Sequence, residues 1–366
     1  MWPPCTESIY GAVTLMAIEP LPYADDVECT PLDEADDIRR AIQALEKILQ
    51  HSRERTGEFR GDVHVKSHGC AAGEFRILPN LPLELAQGLF GHERTYSVVV
   101  RFSNSASQPQ PDFIPDGRGM AIKVMDVEGE RLASEVSGAR TQDFVMVNHP
   151  AFFAANVKDF LRFEQILAAG KGEKLAAVNN ALTGGEWNPL RWHWREALTA
   201  LQIAAHVPSH PASNTYFSMS PFRFGRYVAK FRARPANELP GTLMDHMKKL
   251  GGQPDALRAM LEETLRSQQL LFEFQVQLRT SDKTMPVEDA MAVWPESESP
   301  YRTVALLLLP RQEINTEQQR EICRQLSFNV WHALLAHRPL GGINRLRREV
   351  YPISAAWRRQ AAARAQ

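Results

Sequence analysis

The C-terminal segment carries the residue spacing with the clearest chemical potential. It reads NRLRREVYPISAAWRR, with Arg347 and Tyr351 four residues apart and Arg358 seven residues after the tyrosine. On a helix, residues at these spacings lie along one face. A free phenol has a pKa of about 10, and a guanidinium held against its oxygen favours the phenolate, a hard ligand for ferric iron. Taken alone, the segment favours a simpler interpretation, a basic surface helix with one buried tyrosine.

A second candidate is the segment GDVHVKSHG, residues 61–69, which alternates polar and apolar residues. The alternation predicts a strand on which Asp62, His64 and Lys66 share one face. A histidine on a strand inside a barrel can move protons, because its pKa lies close to neutral pH. A buried or exposed histidine without catalytic function is the alternative, and we expect His68 to lie in a loop.

Two further stretches place polar side chains next to predicted strands. In VVVRFSNSAS, residues 98–107, Arg101 and Ser103 fall on the same face of a strand. In DGRGMAIKV, residues 116–124, glycines flank Arg118 and indicate a bend or a close backbone approach. Neither stretch has the glycine and lysine spacing of a phosphate-binding loop.

A fifth stretch, VMVNHPAFF at residues 145–153, combines an amide, a histidine and two aromatic residues. Asn148 and His149 directly precede a proline, and Phe152 and Phe153 follow it. Two adjacent phenylalanines usually belong to a core, and they can also form the apolar wall of a flat cofactor pocket.

The elements that must position these residues are both helical and extended. Apolar residues recur at helical or alternating spacing in separate parts of the chain. Helices are predicted at residues 33–49, 158–167, 255–269, 317–336 and 343–365, and strands within 62–102 and at 119–126, 215–219, 227–231, 271–278 and 303–309. We therefore predict one α+β domain over residues 33–366, with a central antiparallel sheet and helices at both ends, after an irregular N-terminal extension at residues 1–32. Met16 is a second plausible start.

Composition excludes several classes of protein. The 366 residues carry 42 Lys and Arg against 43 Asp and Glu, a net charge of −1. This balance argues against a general nucleic-acid binder, which needs excess positive charge. The longest apolar runs, such as Val304–Pro310, are far shorter than the roughly 20 residues of a membrane-spanning helix, so we expect no membrane span.

The cysteine pattern argues against a metal ribbon or a redox motif. No two cysteines have a C-x-x-C spacing, and their density is too low for a disulfide framework. We predict unpaired thiols in a reducing compartment for all four, Cys5, Cys29, Cys70 and Cys323. The N-terminus lacks the basic start and long apolar stretch of a secretory signal, so we predict a cytoplasmic location.

The order of the motifs is more informative than any one of them. The chain reads H-x-K, V-R-F-S, D-x-R-G-x-A-x-K, N-x-P-x-F-F and finally R-x-x-x-Y-P. This series resembles the haem catalase superfamily over about residues 60–360, with weaker matches at 216–225 and 285–296. The resemblance implies an antiparallel β-barrel that encloses a deeply buried haem b, with flanking helices.

The resemblance also implies roles for the central residues of these motifs. Tyr351 matches the proximal ligand of the haem iron, and Arg347 matches the arginine that keeps this ligand anionic. His64 matches the distal histidine that moves protons between the two peroxide oxygens. Ser103 matches the hydroxyl that supports this histidine.

Other positions match the surroundings of the haem. Arg101 and Arg358 match partners of the haem propionates, and Phe152 matches an apolar residue near the distal face of the iron. Asp116 matches an acidic residue of the channel that leads to the haem, and Val63 matches a small apolar residue that narrows it.

The chain departs from the family pattern at two distal positions. The family usually reads Asn-Asn-Thr-Pro before the two phenylalanines, with the first asparagine at the distal site; here Val147 holds that place. Asn148 matches only after a shift of one residue, and we expect such a shift to bring its amide over the iron. The alternative is that Val147 occupies the site and the amide is missing. In addition, Gly61 stands where the family places a propionate-binding arginine, and Arg60 precedes it.

The third departure is length, because only 15 residues follow Tyr351. Typical catalases continue through a wrapping segment and a helical C-terminal domain that can bind NADPH. We therefore expect a minimal, catalase-related member that lacks this domain and does not bind NADPH. A homo-oligomer is expected.

These matches predict haem-dependent breakdown of hydrogen peroxide or organic hydroperoxides, as a catalase or as a peroxidase with an organic electron donor. One alternative is a fatty-acid hydroperoxide isomerase or lyase of the allene oxide synthase-like type. Val63 argues against it, because that branch tends to carry a hydroxyl at this position. The other alternative is a haem-binding protein without turnover, and His64 argues against that.

Overall fold

The computed structural model describes residues 19–56, 64–106, 110–132, 140–169, 174–237, 239, 251 and 253–364. Several of the sequence-based expectations fall outside this part of the chain: those on Met16, Arg60, Gly61 and Val63, and that on the side chain of Arg358. No helix among the described residues is long and apolar enough to cross a membrane.

A closed antiparallel β-barrel forms the centre of the molecule. Its strands are β1 Ser67–Ile77, β2 Thr95–Asn104, β3 Arg118–Val124, β4 Gln142–Val147, β5 Tyr216–Phe217, β6 Phe222–Phe224, β7 Tyr227–Pro235, β8 Leu270–Leu278 and β9 Arg302–Leu309. They follow the order β5-β4-β3-β2-β1-β9-β8-β7-β6. Pairing of β5 with β7 closes eight of the strands into the barrel, and β6 extends β7 as a hairpin. The predicted α+β fold with a central antiparallel barrel is confirmed.

Seven α-helices surround the barrel in the described residues. They are α1 Glu34–Thr56, α2 Val157–Ala168, α3 Lys174–Thr183, α4 Trp194–Ala204, α5 Ala256–Ser267, α6 Glu317–Gln325 and α7 Gly342–Arg364. Short 3-10 helices lie at Asp25–Val27, Gly88–Phe90, Pro189–Arg191, Pro211–Ser213 and Leu335–His337.

The barrel interior is packed with aromatic side chains. The ring centroids of Phe144 and Phe274 are 4.7 Å apart, and that of Phe75 lies 5.1 Å from Phe274. All three side chains are fully or almost fully buried. Aromatic residues at these separations fill space and favour edge or offset contacts, so the interior is a solid core and a site has to lie elsewhere on the barrel.

Helix α7 is held in place by apolar and ionic contacts. Its Leu346 and Val350 pack with residues of α1 and α2 in one buried cluster. At its first turns, the guanidinium of Arg345 is bonded to three carboxylates, those of Glu34 at 2.6 Å, Glu28 at 2.7 Å and Glu288 at 2.9 Å. Burial alone would lower the pKa of Arg345, but its hydrogen bonds to Glu34 and Glu288 outweigh this effect and raise the pKa, so the charge persists although the side chain is partly buried.

Three local predictions near the site were wrong. Strand β1 begins at Ser67, so His64 precedes the strand, and His68 lies within it and is fully buried. The helix predicted at 317–336 ends at Gln325. Beyond it, the backbone N–H of Asn329 and the ring of His332 both bond to the buried carboxylate of Asp143, at 3.0 and 3.1 Å. These long-range bonds replace the local ones that would extend the helix.

The prediction of unpaired cysteines was wrong for two of them. Cys70 and Cys323 form a disulfide across 253 residues of sequence, with Cα atoms 5.6 Å apart. The bond joins β1 to α6, which lie far apart in the sequence and contact each other in the fold. Cys29 is free and exposed. Because disulfides persist mainly in oxidising environments, the cysteines no longer support the prediction of a reducing compartment.

Candidate active site

A pocket lies between the outer wall of the barrel and helix α7. It encloses about 70 Å³ and opens to solvent at its mouth. Residues of β2, β3 and β4 form one side, Tyr351 and Ser354 of α7 form another, and His64 reaches in from the segment before β1. The lining consists of His64, Arg101, Ser103, Gly119, Met120, Ala121, Val145, Met146, Phe328, Tyr351 and Ser354.

Strand register determines which side chains share the pocket-side face of the wall. Opposite residues of paired strands point to the same face. Arg101 pairs with Ala121, which pairs with Val145, and these three form one row. Ser103, Gly119 and Val147 form the next row. The residues between the rows, such as Phe102 and Met120, face the packed interior of the barrel. The side chain of Val147 is therefore on the same face as Ser103.

His64 is held in an unusual backbone conformation. Its φ is +54°, a left-handed value that costs a residue with a Cβ atom about 1–3 kcal/mol. Its backbone N–H donates to the carbonyl of Ser105 at 3.3 Å, and its own carbonyl accepts from the Arg101 guanidinium at 2.7 Å. The surrounding contacts therefore fix a strained residue at the pocket, a feature that favours a functional role over a purely structural one.

The ring of His64 is fixed in one tautomer by its hydrogen bonds. Nδ1 lies 2.8 Å from the carbonyl oxygen of Asn104 and 3.1 Å from the hydroxyl of Ser103. A carbonyl can only accept, so Nδ1 carries the proton, and in the neutral ring Nε2 keeps its lone pair. Burial, with smaller contributions from the charges of Arg101 and Arg347, lowers the pKa of His64 to about 4. At neutral pH, the ring is an uncharged base.

Gly119 makes room for this ring. A Cβ atom at position 119 would lie 2.6 Å from Nδ1 of His64 and 2.8 Å from the Ser103 hydroxyl. Both distances are shorter than real contacts of a Cβ atom, so the ring could not keep its place beside any larger residue. Sequence reasoning noted the glycines around Arg118 without assigning this function.

Tyr351 and Arg347 lie one turn apart on α7, as their spacing predicts. Tyr351 is half-buried and lines the pocket. Arg347 is buried, and its Nη1 donates to the hydroxyl of Ser220 at 2.9 Å and to Oδ1 of Asn344 at 3.0 Å. Its guanidinium also lies 5.3 Å from the ring centre of Phe152. Arg347 is therefore a fixed positive charge beside the tyrosine-bearing turn.

Phe152 belongs to an aromatic cluster next to α7. Its ring centre is 4.4 Å from that of Phe153 and 6.0 Å from that of Phe160. The cluster packs with Ala154, Ala290 and Ile343. Phe152 thus supports the position of Arg347 through ring contact.

The amide of Asn148 is engaged away from the pocket wall. Its Oδ1 accepts from the backbone N–H of Arg118 at 2.7 Å, and its own backbone N–H donates to the carbonyl of Arg118 at 2.9 Å. Its Nδ2 donates to Oδ1 of Asn214 at 3.3 Å. Asn148 is buried, and these bonds close the edge of β3 beyond the end of β4.

Asp116 lies close to the segment that holds His64. Its carboxylate accepts from the backbone N–H of Ala106 at 3.0 Å and lies 3.9 Å from the guanidinium of Arg118. Burial raises its pKa, while these partners oppose the shift.

A buried polar network behind His64 was missed from the sequence. Oδ1 of Asn104 bonds to Nε2 of His68 at 2.7 Å and accepts from Nη1 of Arg118 at 2.8 Å. Lys66 is paired with the fully buried Asp112 at 2.7 Å. These groups fix Asn104, whose carbonyl in turn orients the His64 ring. The many polar residues at the end of β2 are a local signal of such a network. Which of them bond to each other depends on the fold and could not be read from the sequence.

The chain is similar to known proteins over most of its length. A family model described as Catalase matches residues 33–333. The chain belongs to the catalase family. It is 29% identical over 307 residues to Catalase A of Emericella nidulans and 25% identical over 307 residues to a catalase of Alkalihalophilus pseudofirmus. Each match covers 79% of this chain but 38% and 42% of the relatives, so the chain spans about two fifths of their length.

Solved catalase structures share the fold. A fungal catalase superposes with a TM-score of 0.65 at 19% identity, covering 84% of this chain and 61% of the other. Catalase A from Saccharomyces cerevisiae gives a TM-score of 0.59 at 17% identity, covering 84% and 63%. At these identities the likeness concerns the catalase fold alone.

Catalase-family proteins generally bind haem, and the residues of this pocket fit that group. The Gly119 and Ala121 side of the wall is flat because neither residue carries more than a methyl group. Val145 and Phe328 add apolar lining. A tyrosine, a suitable ligand of ferric iron, and an arginine, a suitable carboxylate partner, lie in the same pocket.

Proposed function

We propose that this protein is a haem-dependent enzyme that breaks down hydrogen peroxide or an organic hydroperoxide. The observation that carries the proposal is the neutral, rigidly held His64 in the same apolar pocket as Tyr351. A base, a phenol suited to iron and a carboxylate-binding arginine in one pocket are the parts that this chemistry requires.

The pocket residues divide into those that hold the haem and those that act on substrate. Tyr351 would bind the iron as a phenolate, with the positive charge of Arg347 one turn away favouring the anion. Arg101, and Arg358 from the last turns of α7, would pair with the propionates. When bound, the haem supplies the redox chemistry at iron that cleaves the O–O bond of a peroxide.

His64 would move the proton. Because Nδ1–H is tied to the Asn104 carbonyl, the free lone pair on Nε2 accepts the proton of an incoming peroxide. The ring then returns this proton to the departing oxygen, which leaves as water or alcohol. Its lowered pKa keeps the ring unprotonated, and therefore ready, at neutral pH. Ser103 and Gly119 keep the ring in place.

The strand register favours peroxidase turnover over oxygen release. In catalase turnover, two hydrogen peroxide molecules give two water molecules and one oxygen molecule. In peroxidase turnover, a hydroperoxide ROOH and a two-electron organic donor AH₂ give ROH, water and A. An oriented amide helps the first reaction by binding the second peroxide. The contacts of Asn148 with Arg118 and Asn214 do not support the expected shift toward the site, whereas Val147 shares the face of Ser103 and Gly119.

A spectrum combined with three rate measurements tests the proposal. Purified protein supplied with haem should show a high-spin ferric spectrum. Steady-state rates are then measured for oxygen release from hydrogen peroxide, for oxidation of a phenolic dye and for consumption of a lipid hydroperoxide. A protein that binds no haem, or binds it and reacts with none of these peroxides, contradicts the proposal. The homo-oligomer, the cytoplasmic location and the absence of NADPH stay predictions.

A further inference from the structure

We propose that the surface formed by α3, the 3-10 helix Pro189–Arg191 and α4 docks on a phospholipid bilayer and presents the site to hydroperoxides of membrane lipids. We call it the α3–α4 surface. The docking does not depend on the proposed function. The substrate class, hydroperoxides of membrane lipids, rests on that function. The inference starts from an unusual concentration of exposed apolar side chains.

Nine of the fifteen large apolar side chains that are exposed among the described residues lie between positions 167 and 207. The most exposed are Trp187 at 97%, Leu190 at 92% and Leu175 at 83%. Trp194, Leu198 and Leu201 follow along one stripe of α4. So many exposed Trp and Leu side chains within about 40 residues of sequence indicate an interaction site, because soluble proteins rarely leave large apolar areas uncovered.

Two of the three tryptophans of this surface have paired indole N–H groups. The indole N–H of Trp194 donates to the carbonyl of Pro189 at 2.8 Å, and that of Trp192 donates to the carbonyl of Glu186 at 2.9 Å. Transfer of these two rings into an apolar phase therefore leaves no donor unpaired. Tryptophan is also the residue that prefers the boundary between headgroups and acyl chains.

The shape of the surface favours lipid over a second protein. Trp187 and Leu190 project from the connection between α3 and α4 with almost no packing from their own chain. Projecting side chains need a matching cavity on a protein partner, whereas fluid acyl chains close around them. The exposed Arg191 is next to Leu190 in the chain. At this position its guanidinium can bind lipid phosphates while the apolar side chains insert into the bilayer.

The α3–α4 surface is directly connected to the active-site wall. On the inner side of α4, Ile203 is buried, and a Cβ atom at Gly117 would lie 3.1 Å from its Cγ2. Just beyond α4, the carbonyl of His206 accepts from the backbone N–H of Asp116 at 3.2 Å. Ser105 donates to the Gly117 carbonyl and accepts from His64. A bilayer bound here therefore lies against the side of the molecule that holds His64.

Vesicle binding by the purified protein tests the docking. The probe is sucrose-loaded phosphatidylcholine vesicles, and the double variant Trp187→Gln/Leu190→Gln is compared with Leu32→Gln/Leu83→Gln, which changes two exposed leucines outside the surface. We expect the parent and the control to sediment with vesicles and the double variant to bind at least about 10-fold more weakly. Equal binding by the two variants, or no binding by the parent, overturns the proposal.

Kinetics and assembly state separate the remaining outcomes. The double variant should consume soluble tert-butyl hydroperoxide at the parental rate and phospholipid hydroperoxide in vesicles at least about 10-fold more slowly. If neither substrate reacts while the parent still binds vesicles, the proposed function fails and the docking stands. If ultracentrifugation shows that the double variant dissociates an oligomer, and the parent does not bind vesicles, a second copy covers this surface and the docking proposal is wrong.

Discussion

Gly119 and His64 are in such close contact that a single added methyl group would collide with the imidazole at 2.6 Å from Nδ1. The glycine belongs to the barrel wall, and the histidine enters from the segment before β1. The position of the His64 ring, the proposed base, thus depends on Gly119, a residue that carries no functional group.

The first prediction follows from this contact. Gly119→Ala should leave haem binding intact and lower the rate of peroxide breakdown at least about 10-fold, because the His64 ring must leave its bonds to Asn104 and Ser103. Gly91→Ala, at a right-handed helical position, is the matched control and should leave the rate unchanged. Rates and haem content are measured together. An unchanged rate in Gly119→Ala would show that the position of the ring does not limit turnover.

The second prediction concerns the proton. General acid–base catalysis contributes roughly 10²–10⁴-fold, so His64→Ala should lose this factor in peroxide cleavage and keep its haem. Stopped-flow absorbance with hydrogen peroxide measures the step. If the variant reacts as fast as the parent, His64 is not the base, and His149, whose Nδ1 bonds to the Ala151 carbonyl, is the next candidate.

The third prediction concerns the iron ligand. Tyr351→Phe removes the phenol oxygen and should lose most of the haem or change its absorption spectrum to that of another ligand. Tyr96→Phe, a partly buried tyrosine on β2, is the control. Full haem content and an unchanged spectrum in Tyr351→Phe would refute the assignment.

The fourth prediction separates Val147 from Asn148. Val147→Asn places an amide on the pocket-side face and should raise oxygen release about 10- to 100-fold, since a hydrogen bond to a charged group contributes roughly 1.5–3 kcal/mol. Asn148→Ala should leave oxygen release unchanged but lower the free energy of unfolding by about 1–3 kcal/mol, because it leaves the backbone N–H of Arg118 unpaired. A large loss of oxygen release in Asn148→Ala would show that this amide reaches the site.

The fifth prediction concerns acid stability. Burial lowers the pKa of His337 to about 4, below the value of about 6.5 in the unfolded chain. Between these values, the unfolded state binds more protons, so stability is full above about pH 6.5 and decreases as the pH falls toward 4. His337→Gln should reduce the loss of unfolding free energy between pH 7 and pH 5 by about 2 kcal/mol. Denaturant unfolding of the parent and the variant at pH 7 and pH 5 measures this difference. If both proteins lose the same free energy of unfolding between the two pH values, His337 is excluded as a cause.

Local spacing in the sequence determined much of the candidate site. The R-x-x-x-Y interval fixes Arg347 and Tyr351 one helical turn apart, and alternation fixes Arg101 and Ser103 on one strand face. Both relationships hold because helix and strand periodicity depend on the backbone alone. The order of the motifs also identified the family, and thereby the barrel.

Other features were decided only by the tertiary structure. The left-handed conformation of His64 is stabilised by bonds to β2 residues about 40 positions away, and the Cys70–Cys323 disulfide joins segments 253 positions apart. Whether Val147 or Asn148 faces the pocket depends on the register of β4 against β3. A sequence specifies which residues share a face of an element. Which faces meet is set by strand pairing and packing between distant segments, and these exist only in the closed barrel.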